Sequence, residues 1–262
     1  MNWTALFAKA FDAYDMKARL FPGLLVLLPA IVYLGLTYGA KHPALAALGS
    51  IIGVCGGPYA LAAFVRTWGQ RAQTNLYMRW GGQPSTILLR HSDARIATQT
   101  KQAYHAQIAL KLGLKMPSAE EEENDPVSAD QAYAAAADAL RPMTNNKVTF
   151  PFVFKELVAY GYNRNAFGAR WVGMLVALSC AVVVFIRSGA LSLQSLAFDM
   201  KPLFALSLSD GLTLIVCALL SLLWLFHFTG KTVEQSGFSY ALRLLEALHK
   251  VPRKPGRSAP RT

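Results

Sequence analysis

Four stretches of this chain are long, apolar and free of formal charge: Leu20–Ala40, Pro43–Val65, Trp171–Ile186 and Gly211–Gly230. A helix needs roughly 17 to 25 mostly apolar residues to cross a bilayer. Charged residues make up only 16% of the chain, well below the roughly 25% of a typical soluble domain. The sequence therefore predicts an all-α integral membrane protein with four transmembrane helices, the first a retained anchor rather than a cleaved signal peptide.

Lysine and arginine are unevenly distributed along the chain. Three lie in residues 1–19, thirteen in 66–170 and seven in 231–262, and the two short connections hold the remaining three. Because cations beside membrane spans mark the cytoplasmic side, we expect a multi-pass protein of the bacterial inner membrane with both termini cytoplasmic. Two transmembrane hairpins, 20–65 and 171–230, would then flank a cytoplasmic helical domain at 66–170.

The two ends of the chain are also predicted to be helical. Residues 1–19 have the spacing of an amphipathic helix, which is expected either to lie in the lipid headgroup layer or to dock on the cytoplasmic domain. Residues 231–262 predict a second amphipathic helix followed by a basic disordered tail. The formal net charge of +11 clusters beside the predicted membrane ends, so we expect contact with anionic lipids and no nucleic acid partner.

Capping signals predict two helices in the central domain. One starts at Ser92 and stops at Gly113, and the other runs from Ser128 to Arg141, ahead of Pro142. The acidic segment between them, PSAEEEENDP, is interpreted as a solvated loop rather than a cation site, because consecutive side chains on a loop converge poorly on one ion. No metal or cofactor is expected.

Gly49, Gly53 and Gly57 recur every four residues within the second apolar stretch. Glycines at this spacing leave a smooth helix surface against which another membrane helix packs closely. The pattern predicts a packing surface, either for a helix of the same chain or for a second copy in a homo-oligomer.

Asp210 stands at the start of the fourth apolar stretch and allows two interpretations. If the helix begins just after Pro202, the carboxylate lies about 10 Å inside one end and faces a polar pathway. If SLSDG is the start of the helix, Asp210 caps it at the outer interface. We favour the cap.

The sequence offers little support for catalysis. RHSD, residues 90–93, contains His, Ser and Asp together, but adjacent residues cannot converge into a hydrolytic triad. No HExxH, CxxC, P-loop or GxSxG motif occurs. An enzyme would instead have to bring Asp93, His105 and Glu156 together at the bilayer surface.

A series of strings between Trp80 and Gly168, about a third of the chain, resembles a group of bacterial multi-span membrane proteins. The strings are WGGQPST, LLRHSDARI, TKQAYH, MPSAEEEENDPVSADQAY and FKELVAYGYNRNAFGAR. Members of this group look similar to proteins found near bacterial defence genes, and no activity is established for them, so the resemblance implies no catalytic residue. Leu157 and Tyr162 stand where the group is expected to have Asn and Phe.

The segment Tyr160–Trp171, YGYNRNAFGARW, precedes the third apolar stretch. Its aromatic and arginine side chains are typical of a membrane interface, and its asparagines and glycines predict a shaped turn that hydrogen-bonds the cytoplasmic helices. We interpret it as a joint between domain and membrane. The residues assigned to this joint are Tyr160, Asn163, Arg164, Asn165 and Arg170.

Together these patterns predict a non-enzymatic membrane effector or channel-like assembly. Its cytoplasmic domain would sense a signal or a protein partner encoded nearby, in antiviral defence. One alternative is a scaffold or accessory subunit of a larger membrane complex, and the other is the membrane-surface enzyme described above.

Overall fold

The computed structural model describes residues 12–39, 42–54, 56–195 and 197–253. Helices predominate in these ranges, which confirms the all-α prediction. In chain order they are α1 (Ala13–Tyr38), α2 (Pro43–Val54), α3 (Gly57–Trp80), α4 (Pro84–Leu89), α5 (Thr98–Leu112), α6 (Ala119–Asn124), α7 (Pro126–Met143), α8 (Pro151–Arg187), α9 (Leu208–His227) and α10 (Gly230–Glu246). Two short antiparallel strands, β1 (Leu191–Ser192) and β2 (Ala197–Phe198), lie between α8 and α9. Most of the predicted N-terminal helix and of the basic tail falls outside the described residues.

Three helices are long and apolar enough to cross a membrane: α1, α8 and α9. In the most apolar part of each, only 28%, 22% and 28% of the residues are buried. Large apolar side chains on these helices are instead more than half exposed, for example Ile31 at 51%, Leu175 at 65% and Leu219 at 60%. Apolar surface on this scale is typical of a membrane-facing region, so these helices indicate membrane association.

The second apolar stretch does not form one helix. α2 ends at Val54, Gly56 has a φ of +91°, and α3 begins at Gly57. Glycine adopts positive φ without steric penalty, and this conformation interrupts the helix. The expected four continuous spans are thus found as three continuous apolar helices and one interrupted segment.

The chain forms two compact units. Unit 1 comprises Met1–Gln73 and Gly161–Val233, and unit 2 comprises Thr74–Tyr160 and Glu234–Thr262. The unit boundaries fall inside α3, α8 and α10, so these three helices contribute residues to both units. The sequence placed the corresponding limits after residues 65 and 170, where the charge pattern changes, whereas the compact units follow side-chain packing.

Unit 1 is centred on a cluster of aromatic and small side chains. Trp224 of α9 and Phe228, the residue just after this helix, are buried against Ala166 and Ala169 of α8. A Cβ built on Gly173 would lie 2.4 Å from the Trp224 ring, so the absence of a side chain there is what lets the indole approach α8.

Unit 2 has its own core, to which α4, α5, α7 and α10 contribute, with Leu89, Ile108, Tyr133, Leu244 and Leu245 among the buried side chains. Its helices differ in detail from the capping predictions. α5 ends at Leu112, and Gly113 directly after it is left-handed, with φ +69°, as expected of the stop. The helix starts at Thr98 instead of Ser92.

The acidic segment of unit 2 is helical, so the prediction of a solvated loop is wrong. It forms α6, which begins with a capping box in which Ser118 accepts from the Glu121 N–H and the Glu121 carboxylate accepts from the Ser118 N–H. Ser128 is not the start of α7, because Asp125 caps that helix by accepting from the Ser128 N–H at 3.0 Å.

Candidate functional site

Asn165 is the most deeply buried residue of the predicted joint, with no exposed surface. Its Nδ2 donates to the carbonyl of Ala18 in α1 at 2.6 Å. Pro22 follows Ala18 by one helical turn, and because proline has no N–H it cannot make the helical hydrogen bond to that carbonyl. The bond from Asn165 thus reaches a carbonyl that Pro22 cannot pair, in the wider helical turn Met16–Leu20 near the start of α1.

Arg164 binds the other end of the same amide. Its Nε and Nη2 both donate to Asn165 Oδ1 at 3.1 Å, and its Nη1 donates to Gln73 Oε1 at 2.7 Å. Such a fork requires the planar guanidinium group. These acceptors of Arg164 are the side-chain amide oxygens of Asn165 and Gln73.

Backbone contact between α3 and α8 surrounds this polar group. A Cβ on Gly168 would lie 2.5 Å from the backbone carbon of Trp68, and a Cβ on Gly69 would lie 2.0 Å from Asn165 Oδ1. Both glycines are therefore required for the close approach of the two helices. In the sequence, Gly168 and the neighbouring small residues Ala166 and Ala169 are the pattern that indicates close helix packing. The prediction of a turn for this segment did not take that pattern into account.

The three regularly spaced glycines of the second apolar stretch do not form one helix-packing surface. Gly57 begins a new helix after the interruption, so it does not continue one surface with Gly49 and Gly53. A Cβ on Gly49 would meet nothing within 4 Å, so this glycine does not pack against a described part of its own chain. The homo-oligomer stays a prediction.

The segment predicted as a shaped turn is helical throughout. Residues Tyr160–Trp171 lie inside α8, and their small and polar side chains serve helix packing instead. Asn163 is half-buried, and the guanidinium of Arg170 lies over the ring of Phe167, 4.4 Å from its centroid. In unit 2, the Tyr160 hydroxyl hydrogen-bonds the Tyr77 hydroxyl at 2.9 Å. The role of these residues as a joint stays a prediction.

Asp210 lies in the first turn of α9, three residues after Ser207, which is the residue that caps the helix. α9 begins at Leu208, and the Asp210 N–H donates to Ser207 Oγ at 3.2 Å while the Ser207 hydroxyl donates to Asp210 Oδ2 at 2.8 Å. Arg187, the last residue of α8, forms an ion pair with the same carboxylate. The Asp210 carboxylate thus lies in the first turn of α9, where it bonds Ser207 and pairs with Arg187. This position favours the interpretation at the start of the helix over a pathway deep in the helix.

Unit 2 contains a buried carboxylate that the sequence did not indicate. Glu122 of α6 is 8% exposed and accepts four hydrogen bonds, from the His91 N–H (2.6 Å), the Ser92 N–H (3.0 Å), the Ser92 hydroxyl (2.8 Å) and the Tyr133 hydroxyl (2.7 Å). Burial by itself raises the pKa of Glu122, but the four hydrogen bonds outweigh it and lower the pKa to about 2. A carboxylate this acidic is a poor general base near neutral pH, so its role is to anchor the chain before α5.

Two further buried side chains fix the same region. His105 Nε2 donates to the Leu89 carbonyl at 2.8 Å, and burial lowers the pKa of His105 so that the neutral form is favoured. Lys101 is 2% exposed and donates to the carbonyls of Arg90 and Asp93. These bonds close the turn that carries RHSD against α5, which is why Ser92 does not cap that helix.

The three residues of the catalytic alternative are engaged separately. The Asp93 carboxylate pairs with Arg95, His105 bonds a backbone carbonyl, and Glu156 lies in the electrostatic field of Arg243. Among the residues that the structure describes, no group of three His, Cys, Asp or Glu side chains could hold a metal ion.

Comparison with protein-family models, with curated proteins and with solved structures gave no match for this chain.

Proposed function

We propose that this chain is a four-span protein of the bacterial inner membrane that acts as a non-enzymatic effector or channel-like assembly in antiviral defence. Its cytoplasmic helical domain would respond to a signal or to a partner encoded nearby, and both termini would be cytoplasmic. The cation-rich segments flanking the spans support this orientation.

Contacts in unit 1 support a fourth crossing by the interrupted segment α2–α3. Near its start, α1 is bound at Ala18 by Asn165 of α8, and three residues further along α8 Gly168 contacts Trp68 of α3. Ala18, Asn165 and Trp68 therefore belong to one level of the bundle.

The far end of α1 belongs to the opposite level. The Ser209 hydroxyl donates to the Leu36 carbonyl at 3.5 Å, and a helix rises about 27 Å between Ala18 and Leu36, close to the thickness of the hydrocarbon core. The chain reaches the opposite level at Leu36 and is back at the level of Ala18 by Trp68. The segment from Leu36 to Trp68 is therefore expected to cross the membrane in the reverse direction.

The interruption between Val54 and Gly57 is the single observation that favours a channel-like assembly over a simple anchor. Non-helical backbone is tolerated at membrane depth only where protein covers it or where it lines a water-filled cavity. The surface near Gly49 is exposed in the single chain. The interrupted backbone would therefore be covered by a second copy of the chain or would line a cavity.

Membrane potential tests the proposal most directly. Induced expression of the wild-type chain is expected to depolarise the inner membrane, followed with a potential-sensitive dye. Arg164→Lys is expected to accumulate normally and lose this effect, because lysine cannot bind Asn165 and Gln73 simultaneously in a planar fork. Arg170→Lys is the matched control and should retain the effect, since its cation can still reach the membrane interface.

Other outcomes would favour the alternatives. Equal, near-normal depolarisation by both variants would contradict the role given to Arg164. An unchanged potential together with stable co-purification of a neighbouring gene product would favour the scaffold. Loss of an activity in a folded His105→Ala protein would favour the enzyme.

A further inference from the structure

A cleft of about 260 Å³ in unit 1 opens between the start of α1 and the middle of α3. Arg19 and Arg66 both line it. Arg19 is the last charged residue before the first apolar stretch, and Arg66 is the first charged residue after the second. The cleft therefore presents two cations where the apolar parts of two helices end.

Arg19 is incompletely satisfied within the protein. One of its terminal nitrogens pairs with Asp15, but its Nε is buried and has no hydrogen-bond partner. A guanidinium group carries five N–H donors, and a buried donor without an acceptor is unfavourable. Its second terminal nitrogen has no acceptor in the part of the chain that the structure describes, so Arg19 retains donors for an acceptor bound in the cleft.

Arg66 is exposed, and no carboxylate in the described ranges pairs with it. The wall beside it is formed by Ala62 and Ala63, which are small and apolar. Even with the Asp15 carboxylate included, the charged side chains of the cleft sum to one positive charge. The site thus combines cationic donors for an anion with an apolar wall next to them.

We propose that this cleft binds a phosphate group, carried by the headgroup of a membrane phospholipid. Arg19 and Arg66 donate to the phosphate oxygens, since arginine matches phosphate geometry with paired donors. The alanine wall contacts the glycerol and the first acyl carbons. This inference rests on the membrane location within the proposed function and is independent of any effector action.

Native mass spectrometry of the full chain in detergent tests the site with three probes. They are phosphatidylglycerol, diacylglycerol with the same acyl chains, and inorganic phosphate. The wild-type protein is expected to retain phosphatidylglycerol in preference to diacylglycerol. Arg66→Gln is expected to lower that affinity about tenfold, as loss of one charge-assisted contact implies. Because Arg66 is exposed and unpaired in the described part, this variant should fold normally.

The matched control is Arg71→Gln, which removes an exposed cation from the same helix outside the cleft. Equal lipid retention in Arg66→Gln, Arg71→Gln and wild type would overturn the proposal, as would equal retention of diacylglycerol. Displacement of the lipid by millimolar inorganic phosphate would overturn the lipid source and assign the cleft to a soluble phosphate. Normal lipid binding with an unchanged membrane potential would contradict only the proposed function.

Discussion

Glu122 illustrates how a charged side chain can fix local structure without a role in catalysis. Each of its two oxygens accepts from one backbone N–H, Oε2 from His91 and Oε1 from Ser92. A glutamine has only one carbonyl oxygen, so in either orientation its NH₂ group would face one of these backbone donors. The carboxylate is thus required for hydrogen bonding on both sides.

Glu122→Gln is expected to lower the free energy of unfolding by about 1 to 3 kcal/mol, the range for leaving a buried polar group unsatisfied. Thermal unfolding of the full chain in detergent measures the loss. The neighbouring Glu123 is exposed, so Glu123→Gln should change stability by less than about 0.5 kcal/mol. Similar melting curves for the two variants would contradict the assigned role.

The pH dependence of stability should separate His105 from Glu122. Burial lowers the pKa of His105 below its ordinary value of 6.5, so the unfolded chain binds the proton more readily and stability is lost as pH falls through and below that value. The contribution of the Glu122 carboxylate to the free energy of unfolding is lost only as the pH falls from 4.5 to about 2. A decrease in melting temperature between pH 7.5 and pH 5.5 is therefore expected, and His105→Gln should reduce it.

The control for this measurement is His249, which is exposed. His249→Gln should leave the decrease unchanged. A pH dependence that survives His105→Gln in full would assign it to another group.

At the scale of elements, the close approach of α3 and α8 depends on glycine at position 168, whereas Gly49 of α2 has room for a side chain. Gly168→Ala is expected to destabilise the protein by about 1 to 3 kcal/mol, because the added carbon would meet the Trp68 backbone, which cannot move aside like a flexible side chain. Gly49→Ala has room in the chain and should be neutral or stabilising by about 0.5 to 1 kcal/mol. Thermal unfolding in detergent compares the two, and a neutral Gly168→Ala would refute the contact.

Local signals in the sequence were sufficient for some element ends and not for others. Gly113 stops α5 and Ser207 starts α9 as their residue types indicate. The capping box of Ser118 and Glu121 carried the same kind of signal but was hidden in an acidic run that favours solvation. The burial of Glu122 could not be predicted, because its donors at Ser92 lie 30 residues away and depend on the tertiary fold.

For the whole molecule, membrane association was predictable and the interruption was not. Charge-free length identifies α1, α8 and α9 directly. Glycine is frequent in membrane helices, so the sequence around Gly56 does not distinguish a helix that continues from one that breaks. Positive φ at Gly56 is a property of the packed chain.

Reporter fusions test the arrangement of the whole molecule. Fusions after residues 120 and 262 should both report the cytoplasm, and one near Ser192 should report the outside. These positions follow from four crossings, with the interrupted segment counted as one. A periplasmic signal at residue 120 would leave three crossings and require the interrupted segment to stay on one side.

The bond between Asn165 and the Ala18 carbonyl joins residues 147 positions apart, and this separation has a consequence for biosynthesis. At ribosomal rates of about 5 to 20 residues per second, the first helix waits on the order of 10 s for its partner to emerge. During that interval the carbonyl released by Pro22 has to be met by water, lipid headgroups or the insertion machinery. We therefore expect α1 to remain loosely held during translation and to settle only when α8 has been made.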